Sequence, residues 1–119
     1  MEFPPTLCFE IDAAFRYATE QAQTVILVCP SEGAGCDAAR VAFAGALPPD
    51  AAVGGTRAKL EGGGTVRLCM AEEISEAPEE FTAAFVGWGM GEPSRRDRGL
   101  CRTWRDRASL VLHNEDAYR

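Results

Sequence analysis

The chain is short of the residue patterns that most enzyme chemistry requires. It has one lysine, Lys59, and no G-x-x-x-x-G-K-[ST] anywhere, so no side chain is placed to reach the β- and γ-phosphates of a nucleotide and no hydroxyl to hold Mg²⁺. There is no C-x-x-C pair, and the nearest cysteines, Cys29 and Cys36, are seven residues apart, which argues against zinc. The single histidine, His113, closes an apolar stretch and acts as a general base only if folding brings it a nucleophile. No apolar run reaches 18 residues and no basic segment precedes an apolar one, so neither a membrane span nor export is expected. The five cysteines are odd in number and irregularly placed, with Cys8, Cys29 and Cys69 inside apolar runs. That usage fits reduced thiols and a cytoplasmic location.

What is present is a chain of 119 residues, 46% apolar and 25% charged, long enough for one domain with its own core. Its charge is unevenly spread. Residues 1–92 carry 14 acidic and 5 basic side chains, whereas residues 93–119 carry 4 acidic and 7 basic.

Local patterns predict an α/β order. "TLCFEI" (6–11) reads as a first strand, with Asp12 capping a helix over 13–23. "TVILVC" (24–29), apolar on both faces, reads as a central strand of a parallel or mixed sheet. A small-residue helix follows and ends before the prolines of "LPPD" (47–50). "TRAKLEGGGTVRLCM" (56–70) alternates, turns on three glycines and alternates again, the pattern of a hairpin. An acidic segment, 72–80, is expected to open a short helix reaching Thr82, with Pro78 in its first turn. "AAFVGW" (83–88) is a fifth strand, 99–107 a short helix and 108–113 a sixth strand. The expected fold is one α/β domain over residues 1–119, a mixed five- or six-stranded sheet flanked by two or three helices, with the Gly-turn hairpin at one side.

The buried strand ending "VCPSE", the alanine-rich helix, the hairpin "KLEGGGTVRL", the acidic segment and the strand "AAFVGW" together resemble the middle of the ATPase core of phage terminase large subunits and related P-loop motors, over about residues 24–90. The resemblance implies a phage or mobile-element setting and a degenerate P-loop-like core. It implies no hydrolysis, because the phosphate-binding motif is missing and Gly87, Trp88 and Gly89 stand where that family has its Mg²⁺-binding acidic pair.

Three loop chemistries can be tested on "CPSEGAGCDAA" (29–39). Gly33, Gly35 and Ala38 satisfy G-x-G-x-x-A, but the first glycine lies beyond the strand's edge and no acidic partner stands about twenty residues on, as a dinucleotide needs. Glu32 and Asp37 would repel a phosphate placed on the helix N-terminus. Cys36 starts that helix, which favours a thiolate, but the same carboxylates oppose it. No catalytic, cofactor or metal residue is assigned.

Two functions remain. The first is a non-catalytic protein-binding module, a modulator or inhibitor of a larger nucleic-acid-processing machine. It would use Trp88 and Met90 in a glycine-spaced loop, the acidic residues Glu72, Glu73 and Glu76, and the basic residues Arg95, Arg96 and Arg98 as three separate features. A direct nucleic-acid ligand is disfavoured by the acidic body and by Asp97 and Asp106 within the arginine segment. The second is a small-molecule or nucleotide-binding protein, or an enzyme, using loops 30–36 and 87–92 as neighbours at the ends of parallel strands.

Overall fold

A computed structural model describes residues 5–90 and 93–112. Its centre is the strand β1 (Thr24–Cys29), whose side chains serve two cores at once. Val25, Leu27 and Cys29 enter one apolar cluster and Ile26 and Val28 the other. A strand with two buried faces needs cover on both, and the chain supplies it with helices.

The first face is covered by α1 (Pro5–Gln21) and α2 (Ala34–Ala46). Leu7, Ile11, Ala14, Phe15 and Ala18 of α1 meet Ala38, Ala39, Ala42 and Phe43 of α2 there, with Phe15 stacked on Phe43 at 5.8 Å. The second face is covered by a 3-10 helix (Ala71–Glu76) and α3 (Arg95–Arg107), which bury Ala71 and Trp104 against Ile26, Val28, Cys69, Phe81, Ala83 and Phe85. The result is a three-layer α/β/α arrangement.

The sheet has six strands: β1, β2 (Ala52–Gly54), β3 (Arg57–Lys59), β4 (Thr65–Met70), β5 (Thr82–Phe85) and β6 (Leu110–Val111), in the spatial order β2-β3-β4-β1-β5-β6. β1 runs parallel to β4 and β5, and β5 to β6, while β2, β3 and β4 form an antiparallel meander at one side. The mixed α/β fold, the central strand 24–29 and the hairpin at the sheet's side are as the sequence predicts. The hairpin turn uses Gly62 and Gly63 at φ +97° and +105°, where other residues are strained.

Five expectations are corrected. Residues 6–11 are helical, not a strand: Leu7, Ile11, Phe15 and Ala18 recur at helical spacing, Pro5 suits a first turn, and Asp12 is an exposed position inside the helix. The acidic helix is a 3-10 turn ending at Glu76, because Pro78 forces Ala77 into extended backbone (ψ 138°) instead of starting a helix. The fifth strand ends at Phe85, and Gly87 at φ +81° turns the chain out of the sheet before Trp88. The last helix begins at Arg95, not Gly99, since Ser94 accepts a hydrogen bond from the Asp97 N–H at 3.1 Å and caps it. The sixth strand spans only Leu110–Val111, and the expected position of His113 lies outside the described residues.

Candidate functional site

Loops 30–36 and 87–92 do meet, because β1 and β5 are parallel neighbours; residues 91 and 92 lie outside the described residues. Their meeting closes the crevice at these strand ends. A methyl group on Gly35 would collide with the carbonyl oxygen of Gly87, so the two loop backbones touch and both glycines serve close packing. The Val28 carbonyl accepts from the Val86 N–H at 3.0 Å and from the Trp88 indole N–H at 2.8 Å.

One donor that a phosphate at this loop could use, the Ser31 N–H, is also engaged. The Ser31 N–H donates to Oδ2 of Asp97 at 2.9 Å, and the Ser31 hydroxyl accepts from the Glu72 N–H at 2.9 Å. Asp97 is 2% exposed, and its carboxylate at Ser31 would repel an anion brought to this loop. Glu73 accepts from the Met70 N–H at 2.8 Å and fastens the end of β4 to the same rim. Cys36 is buried beside Cys29, whose thiol is pushed well above the ordinary range by burial first and by Cys36 second. Cys29 is therefore a poor nucleophile at neutral pH.

Trp88 and Met90 are separated by the sheet. Trp88 packs with the α3 side, its ring edge-on to Phe85 at 6.4 Å, while Met90 packs with the α1 and α2 side. Trp88 is therefore half-buried, with its N–H satisfied, instead of standing bare between two glycines.

The acidic and basic segments are one surface, not two. α3 lies on the 3-10 helix: the Trp104 indole donates to the Ala71 carbonyl at 2.9 Å, Arg107 to the Ile74 carbonyl at 2.9 Å, and Arg96 stands 3.8 Å from Glu72. Glu76 pairs with Arg67 of β4 at 3.3 Å. Glu72, Glu73, Glu76 and Arg96 are thus joined to groups of the protein itself.

Arg95 and Arg98 belong to a different side of α3. With Arg102 and Arg105 they recur at steps of three, four and three, all exposed, forming a row about 15 Å long at the helical rise. Arg95, Arg98 and Arg102 have no ion-pair partner among the described residues. Arg105 lies over the Phe85 ring at 4.8 Å, and Phe85 touches Trp88, so the row runs toward the half-exposed tryptophan. Sequence inspection that starts the helix at Gly99 misses this row. The signal was Ser94 followed three residues later by Asp97, a helix-start pattern.

Compared with known proteins, the chain matches no family model, no curated protein and no solved structure. Any assignment rests on the side chains themselves. Among the described residues, no helix is long and apolar enough to cross a membrane, and no three His, Cys, Asp or Glu side chains gather as a metal site.

Proposed function

We propose that this protein is a non-catalytic protein-binding module whose partner surface is the arginine row of α3 together with the exposed edge of Trp88. The observation that carries the proposal is the row itself: four arginines on one exposed helix side, none with an ion-pair partner among the described residues, in a chain of net charge −6. Arginine and tryptophan are the side chains that most often dominate binding energy at protein interfaces. Unpaired guanidiniums fit a partner that presents carboxylates.

Of the residues expected from sequence, Trp88, Arg95 and Arg98 belong to this surface, and Arg102 and Arg105 join them. Arg96 and Glu72 support it by joining α3 to the 3-10 helix, and Glu73 and Glu76 by tying that helix to β4. The resemblance of residues 24–90 to terminase-type motor cores is the ground for placing the partner in a larger nucleic-acid-processing machine, which this protein would modulate or inhibit. The unpaired cysteines Cys29, Cys36, Cys69 and Cys101 support a cytoplasmic setting.

The alternative, a nucleotide or small molecule held by loops 30–36 and 87–92, is disfavoured by the Gly35–Gly87 contact and by Asp97. Arg98→Glu with Arg102→Glu tests the choice. Exposed substitutions of this kind leave stability within about 0.5 kcal/mol. Partner capture should fall about 30-fold, equivalent to about 2 kcal/mol, with the melting temperature unchanged. Undiminished capture by this variant, or a rise in the wild-type melting temperature with ATP or NAD, would overturn the proposal.

A further inference from the structure

The layer that covers the second face of the sheet stops short of the meander. The 3-10 helix and α3 cover β1, β5 and Cys69 of β4, and the same face of β3 and of Thr65 and Arg67 in β4 is left as a groove of about 340 Å³ lined by Arg57, Lys59, Arg67, Thr24, Thr65 and the Glu76–Pro78 edge among others. Three of the five basic residues in the first 92 positions, including the chain's one lysine, converge here. Arg57 stands directly opposite Arg67 in the β3–β4 register, and Lys59 directly opposite Thr65.

Like charges opposite one another on one face of an antiparallel pair oppose the pairing. A charge arrangement that costs stability locally is most readily understood as serving a ligand. Arg67 is held in place by Glu76, which accepts from it at 3.3 Å, so one guanidinium is already oriented. Counting Arg57, Lys59 and Arg67 against Glu76, the groove has two positive charges in excess.

We infer that this groove binds a small organic phosphate monoester, with Arg57, Lys59 and Arg67 holding the phosphate dianion and the hydroxyls of Thr24 and Thr65 beside it. Guanidinium forks match phosphate oxygens in pairs, and the dianion balances the excess charge. The volume lies at the small end of ligand pockets, about 300–1,000 Å³, which suits a phosphate with a small body. This site is separate from the arginine row on α3 and does not depend on it.

Titration of the ¹⁵N-labelled full chain with ribose 5-phosphate, followed by amide chemical shifts, tests the inference. The expected result is saturable shifts concentrated at Thr24, residues 57–59 and residues 65–67. Binding should strengthen as pH rises through about 6, where a phosphate monoester gains its second charge. Arg57→Gln with Lys59→Gln, both exposed, should stay folded by the same spectra and lose affinity at least about tenfold. Three results would each overturn it: no saturable shift, equal binding by the double variant, or tighter binding of a hexaglutamate peptide at the same residues.

Discussion

A methyl group at Gly35 would meet the Gly87 carbonyl, whereas one at Gly45, in the same helix, would meet nothing. Gly35→Ala should therefore destabilise the fold by about 1–3 kcal/mol, and Gly45→Ala should stabilise it by about 0.5–1 kcal/mol, measured by denaturant unfolding. Equal effects would remove the loop contact from the account. Glu10 gives a second residue-level test, because burial pushes its carboxyl up from 4.5 to about 7. The folded chain then holds this proton more tightly than the unfolded chain. The stability Glu10 contributes is complete below its unfolded value of 4.5 and is lost as pH rises through about 7. Glu10→Gln should match the wild-type melting temperature at about pH 4 and exceed it at about pH 8. At this scale the sequence was partly legible. Gly33 and Gly87 turn the chain at φ +88° and +81°, but Gly35 lies inside α2, and nothing in the local pattern says that Gly35 and Gly87 touch, since that contact depends on the pairing of β1 with β5.

Elements were legible where their side chains carry the period of the structure. The five apolar residues of β1 and the two alternating arms around the glycine turn announced themselves, because burial alone accounts for both patterns. β2 did not: Ala52, Val53 and Gly54 are all exposed, and their strand conformation comes from pairing with β3 and not from any side chain. α1 was misread because its first turns, "TLCFEI", contain enough apolar residues to satisfy either period over six positions; only the longer series Leu7, Ile11, Phe15 and Ala18 decides for the helix. α3 was half-read, since its buried face carries few apolar residues and its start is set by a cap. Ser94→Ala should therefore cost about 1 kcal/mol of stability. The same change should speed amide exchange at the start of α3 while leaving β1 unaffected. An unchanged melting temperature would show that the cap does not hold this end of the helix, and with it the start of the arginine row.

Over the whole molecule, acidic and basic side chains are sorted by where the layers end. The strand-end rim is closed by Asp97, Ser31 and Glu73, while α3 turns Arg95, Arg98, Arg102 and Arg105 outward. The candidate site was legible as composition, since Trp88 and the basic segment stood out in the sequence. Its arrangement was not, because the division of Trp88 from Met90 and the junction of acidic and basic segments follow from which sheet face each chain segment crosses. The central claim is that partner contact occurs at the α3 row and not at the closed strand ends. The most direct measurement is photo-crosslinking in an extract of the source with a reactive side chain placed, one at a time, at positions 102, 32 and 41, all exposed in the structure. Position 102 should give a discrete adduct with an acidic segment of one partner, lost when Arg98 is changed to Glu, while positions 32 on the rim and 41 on α2 should not. The same adduct from position 32, or none specific to position 102, would contradict the account.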